Sequence, residues 1–97
     1  MIYKPIKSDK TDKKFYIITN KGKRVYFGAS NYQHYTQGHL NEERKLRYLN
    51  RHKKNEDWNN PDTADYWSAK FLWYYPTYKE ANTQIKKELI KLGYLSH

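Results

Sequence analysis

Two short runs of β-branched and aromatic residues, Phe15-Tyr16-Ile17-Ile18-Thr19 and Arg24-Val25-Tyr26-Phe27, flank Asn20-Lys21-Gly22-Lys23. Asn and Gly tolerate the backbone angles of a tight turn, so this pattern predicts a β-hairpin. Ile2-Tyr3-Lys4-Pro5-Ile6 reads as a short edge strand, because Pro lacks the amide that a central strand would use. Residues 7–14 are Lys, Asp, Ser, Thr and read as a solvated connection. The segment 1–14 is therefore expected as an edge strand or a flexible N-terminal segment of a single domain spanning 1–97. From Gly28 to His39 the chain is polar and aromatic without helical period, which predicts a loop carrying Tyr32 and Tyr35.

Three helical patterns follow. Asn41 offers a capping oxygen and Glu42-Glu43 place negative charge in the first turn, where the helix dipole favours it, so a helix is expected from there to about Lys54. At 100° per residue, Leu46 and Leu49 fall on one side with the stem of Lys53. Arg44, Arg47, Arg51 and Lys54 group on the other, beside Tyr48. Asn59-Asn60-Pro61-Asp62-Thr63 is a turn that can cap a short helix, in which Ala64, Trp67, Ser68, Phe71 and Leu72 recur at three- and four-residue spacing and Pro76 is the stop. Thr77-Tyr78-Lys79-Glu80 has the form of a capping box. The last helix then carries Tyr78, Ala81, Ile85, Leu89 and Leu92, with Gly93 as its C-terminal left-handed residue. The fold class is α+β: a small hairpin, three-stranded if Ile2–Ile6 joins it, packed against two or three helices.

Composition sharpens this picture in two ways. Apolar content is only 37%, yet eleven Tyr, three Trp and three Phe can bury large areas while keeping a polar tip wet, so a thin aromatic core is expected, with Trp58, Trp67, Phe71 and Trp73 in it. The net charge of +9 is unevenly spread. Residues 1–24 hold eight Lys/Arg against two Asp, residues 25–54 six against two Glu, and residues 55–97 five against six acids. A basic half on a nearly neutral scaffold points to a polyanion-facing surface. Three of the four arginines lie within eight residues. The candidate nucleic-acid or polyanion-binding set is accordingly Arg44, Arg47, Tyr48, Arg51 and Lys54, extended by Lys23 and Arg24. Tyr16, Tyr26, Tyr32 and Tyr35 lie near basic residues in positions that suit stacking on bases. Tyr32 and Tyr35 are also the protein-interface candidates.

Other chemistry finds less support. Without Cys there is no disulfide and no thiolate metal site. His34, His39, His52 and His97 have no partners at ligand spacing, and Ser8, Ser30, Ser68 and Ser96 lack a nucleophile context. No catalytic residue, metal or cofactor is expected. No apolar run reaches the length of a membrane span or a signal-peptide core, so neither membrane association nor signal-peptide secretion is expected.

Two resemblances add to this reading. Tyr16, followed ten residues on by Tyr26-Phe27-Gly28 on a hairpin, looks like the start of a GIY-YIG nuclease. That resemblance implies a metal-dependent phosphodiester cleavage using Tyr16, Tyr26, Arg44 and either Glu56 or Glu80. Phe15 stands where that family has a Gly-Ile pair, and no arginine follows the hairpin until Arg44. More of the chain is similar to a family of short uncharacterised basic proteins of large DNA viruses and phages. The residues concerned are Val25-Tyr26-Phe27-Gly28, Tyr35-Thr36, Glu43 through Lys53, Trp58, Thr63-Ala64, Trp67-Ser68, Leu72-Trp73 and Pro76-Thr77. Asp65 and Ala69-Lys70 depart from its pattern. This second resemblance implies a viral origin and a place in the virion or host-cell interior. The expected function is thus a non-enzymatic structural protein that grips nucleic acid or an acidic protein surface through its cationic helix. The alternatives are a minor capsid or cement protein touching capsid proteins through Tyr and Trp, and the nuclease. The oligomeric state stays open.

Overall fold

The computed structural model describes residues 2–54 and 58–96. Glu56 and His97 lie outside the described residues. The strands are β1 (Ile6–Lys7), β2 (Lys13–Ile18) and β3 (Arg24–Ala29), followed by helices α1 (Glu42–Lys53), α2 (Ala64–Leu72) and α3 (Tyr78–Leu92). The architecture is α+β, with a three-stranded antiparallel sheet in the order β1-β2-β3. Ile6 pairs with Tyr16, and Tyr16 with Tyr26. The β2–β3 turn closes through Gly22 at φ +82°, whose amide donates to the Thr19 carbonyl. Tyr35–His39 makes one wide turn whose backbone leaves helical geometry at Thr36, Gln37 and Gly38, so the expected loop is a loop.

Period-two alternation sends Phe15, Ile17, Val25 and Phe27 to the inner face of the sheet, where α2 lies across them. Tyr66, Trp67, Ala69, Phe71 and Leu72 of α2 are all buried. The packing is largely ring on ring: Phe27 meets Trp67 at 6.0 Å, Phe15 meets Phe71 edge-on at 5.3 Å, and Phe71 stacks on Tyr78 at 4.9 Å. A fully buried aromatic of this kind stabilises by about 2–3 kcal/mol relative to exposure. The polar tips are satisfied too, with Trp67 Nε1 donating to the Pro61 carbonyl at 2.8 Å and the Tyr66 hydroxyl to Glu88 at 2.6 Å. α3 closes the core with Ala81, Ile85 and Leu89.

The helix ends follow the sequence signals. Asn41, Thr63 and Thr77 each accept the amide three residues on, and Gly93 at φ +90° ends α3. Four expectations need correction. Leu46 does not pack; it is 58% exposed, and the side of α1 turned to the protein carries Arg44, Lys45, Tyr48, Leu49 and His52. Leu92 is likewise exposed on α3, and Trp58 is only half-buried, edge-on to Tyr74. The N-terminal strand is confined to Ile6–Lys7. Upstream of it Tyr3 is buried, its amide donating to the Ile18 carbonyl at 2.8 Å and its hydroxyl to Asp62 at 2.6 Å. No described helix is long and apolar enough to cross a membrane.

Candidate polyanion-binding groove

At the end of β3 the chain must pass close to α2, and Gly28 permits it. Its φ is +80°, and a Cβ there would stand 2.9 Å from Leu72 Cδ1. The chain then turns through Ser30, whose hydroxyl donates to the Thr11 carbonyl at 2.6 Å, and sends Tyr32 outward and His34 inward. Lys14, reaching across from β2, donates to the Tyr32 carbonyl at 2.6 Å and to His34 Nδ1 at 2.9 Å. Burial first, then the charge of Lys14, pulls the His34 imidazole down to about 4, so it is neutral near pH 7. Burial also lowers the Lys14 ammonium from its ordinary value.

Trp73, buried just past the end of α2, is the hub on which the groove is assembled. His34 meets it edge-on at 6.0 Å, His39 lies at 5.3 Å and Tyr32 at 6.2 Å. Tyr48 of α1 stacks flat on it, with centroids 4.3 Å apart and planes within 4°, and His52 stacks on Tyr48 at 4.2 Å. This column of three rings holds α1, which has no fully buried residue, against the body. His39 Nδ1 accepts the Asn41 amide at 2.9 Å, which leaves its proton on a buried Nε2 with no hydrogen-bond partner among the described residues.

Between the sheet end, the Tyr32 loop and α1 runs a groove of about 350 Å³. Lys13 of β2 and Arg51 of α1 both line it with positive charge, while Tyr32, His34, Tyr48, His52 and Trp73 supply aromatic walls. No carboxylate is among its described lining residues. Arg44 stands at the rim, its guanidinium carbon 6.0 Å from the Tyr32 ring. Such a site can take an oxyanion on the two cations and a flat or apolar group against the rings. A larger cleft, about 440 Å³, lies between the N-terminal segment and α3, where Lys4 and Lys86 stand beside Ile2, Tyr3, Ile85 and Leu95. It has two cations as well, but Tyr3 is the one aromatic ring in its described lining, so it offers no wall of rings and no guanidinium.

The sequence-derived candidates thus separate into groups. Arg51, Tyr48, Arg44 and Tyr32 come together at the groove. Arg47 points to solvent and pairs with Glu43 at 3.2 Å, and Lys54 is exposed at the C-cap. Lys23 and Arg24 sit at the other end of the sheet, since Ala29 and Arg24 are five residues apart on one strand, about 17 Å. Arg24 also meets Asp9 at 3.5 Å. Tyr35 is not a surface residue: it is buried, its hydroxyl donates to Glu42, and Lys45 lies over its ring. The nuclease set is dispersed, with Tyr16 and Tyr26 on the outer face of the sheet and Arg44 beside Tyr32, on the helical side. Among the described residues no three His, Asp or Glu side chains converge as metal ligands. Lys13, His34, His52 and Trp73 were not expected at a site. Their only sequence trace is that Lys13 stands in a lysine run and Trp73 in an aromatic one.

No curated protein and no solved structure matches the chain. Residues 4–52, which carry the whole sheet, the Tyr32 loop and α1 as far as His52, match a characteristic family profile that stops short of Trp58 and of the Trp67-Ser68 and Leu72-Trp73 pairs. With just over half its length so matched, including Lys13, Tyr32, Tyr48 and Arg51 of the groove, the chain belongs to a family of unknown function, DUF5754.

Proposed function

We propose that this protein is a non-enzymatic nucleic-acid-binding protein whose groove between the sheet end and α1 seats backbone phosphates. The observation that carries the reading is the approach of Lys13 and Arg51 to one groove whose described lining has no carboxylate, with Arg44 at the rim. Guanidinium forks match phosphate oxygens, and each neutralised phosphate releases counterions. The resemblance of the Val25–Thr77 sequence pattern to short basic proteins of large DNA viruses and phages implies, as part of this proposal, a structural role beside a packaged genome.

The test is binding of a labelled DNA or RNA at several salt concentrations. Arg51→Ala and Lys13→Ala are expected to weaken binding and each to lower the slope of log affinity against log salt by about one. Arg47→Ala, already paired to Glu43, should change little. Salt-insensitive binding, or loss equal in all three variants, would remove the groove from the account. Binding confined to an acidic protein surface would replace nucleic acid as the partner. Leu40 and Leu46, 49% and 58% exposed, support a second reading as a capsid or cement protein. In that case Leu46→Glu should abolish assembly into particles while nucleic-acid affinity is unchanged.

A further inference from the structure

α2 packs on the inner face of the sheet with α3 behind it, and on the outer face the half-buried rings of Tyr16 and Tyr26 are met by the side chains of Arg24, Lys10 and Asp9. On that face Tyr16 and Tyr26 stand directly opposite one another on neighbouring strands, with ring centroids 5.2 Å apart and planes at 38°. Ile6, the cross-strand partner of Tyr16, flanks them and is exposed. Each ring carries a cation above it: the Arg24 guanidinium carbon is 4.6 Å from the Tyr16 centroid and Lys10 Nζ is 4.1 Å from that of Tyr26.

We infer that this outer face is a stacking platform for the unpaired bases of a single-stranded nucleic acid, with Tyr16 and Tyr26 under the bases and Arg24 and Lys10 on the phosphates. The inference rests on the proposed function for the kind of polymer bound, and adds its form and a second surface. Two features argue for a strand over a protein. The rings are sequence-tolerant π-faces side by side on a sheet, an arrangement that suits bases splayed from a single strand. The charge around them is complementary to phosphate, since residues 1–24, which build β1, β2 and the turn, hold eight Lys/Arg against two Asp. Arg24 is held by its hydrogen bond to the Tyr26 hydroxyl at 3.2 Å and by Asp9, both contacts lying at the exposed surface. The Arg24–Asp9 pair is exposed on both sides, 50% and 66%, and solvent-screened pairs of this kind contribute little. A cation over a half-buried surface ring is also held less firmly than a stacked base, so a base can take the ring while the cation swings to the adjacent phosphate. Asp9 accepts from the Tyr26 hydroxyl at 2.9 Å at the edge of the platform, away from the ring face.

Three probes of equal length separate this platform from the groove: an oligothymidylate, an abasic single strand and a duplex. The full chain should prefer oligothymidylate to the abasic strand. Tyr16→Leu and Tyr26→Leu, which keep apolar bulk but lose the π-face, should each cost roughly tenfold on oligothymidylate and leave the abasic strand and duplex as they were. Unchanged binding of those two probes also shows that the variants are folded. Tyr26→Phe keeps the ring and should keep the preference. Arg51→Ala should weaken all three probes together. Equal affinity of the wild type for oligothymidylate and abasic strand overturns the platform alone, as does a preference that survives both leucine variants. Failure to bind any probe overturns the groove reading as well.

Discussion

Lys14 donates to His34 Nδ1, which fixes the imidazole proton on Nε2 and leaves Nδ1 no lone pair for a second one. Protonating His34 in the folded protein would break that bond and place two cations side by side in a site closed by the Trp73 ring, with His39 adding a smaller repulsion. The folded pKa, about 4, is therefore below the 6.5 of the unfolded chain. Between those values the unfolded state binds the proton and the folded state does not, so stability is complete above about pH 6.5 and declines as pH falls toward 4. At about 1.4 kcal/mol per unit, the loss over that window is of the order of 3 kcal/mol. His34→Asn retains an acceptor for Lys14 without a titrating ring. Urea midpoints measured from pH 7 to 4.5 should fall steeply for the wild type and much less for this variant, and parallel curves would show that His34 does not control the acid response.

α1 is an amphipathic element of an unusual kind, because what it turns toward the body is a column of rings and not a stripe of leucines. Tyr48 on Trp73 provides the flat contact, and Leu49 adds a half-buried one. Removing the tyrosine ring should release the helix without unfolding the core formed by β2, β3, α2 and α3. In Tyr48→Ala, hydrogen exchange is expected to accelerate across Glu42–Lys53 while the amides of β2 and β3 stay protected. Global unfolding in that variant would instead make α1 part of the core's cooperative unit. The same element shows where sequence reasoning succeeds and where it stops. The hairpin, the Asn41, Thr63 and Thr77 caps and the Gly93 terminus are local devices, set by neighbouring residues, and each stands where its signal lies. Which side of α1 is buried is a tertiary matter. The helical wheel put Leu46 inward on hydrophobicity, but Trp73, twenty-seven positions further along, draws Tyr48 to itself and rotates Leu46 into solvent. For the same reason the grouping of Arg51 with Lys13 was invisible, since it depends on how a strand and a helix distant in sequence come to face one groove. Tyr35 and Tyr32 are three residues apart in one polar stretch, and only the fold tells the buried one from the exposed one.

Charge is sorted by layer in the whole molecule. The sheet and α1 fall within residues 1–54, which hold all of the excess with fourteen Lys/Arg against four acids, whereas residues 55–97 are close to balanced, with Lys70 for example 3.6 Å from Glu88. If placement governs binding, equal changes in net charge at different positions must have unequal effects. Lys13→Glu with Arg51→Glu reverses both cations of the groove. Lys86→Glu with Lys91→Glu reverses two exposed cations of α3 and lowers the net charge by the same amount. At 0.15 M salt the field of an exposed charge is screened within about 8 Å, so the α3 variant should bind nucleic acid within about threefold of the wild type. The groove variant, which sets two carboxylates against the phosphate, should lose well over tenfold. Near 0.01 M salt, where screening extends to about 30 Å, the α3 variant should weaken as well, and the gap between the two should narrow. Equal losses at 0.15 M would mean that the protein attracts polyanions through its total charge, and that the convergence of Lys13 and Arg51 on one groove has no bearing on what it holds.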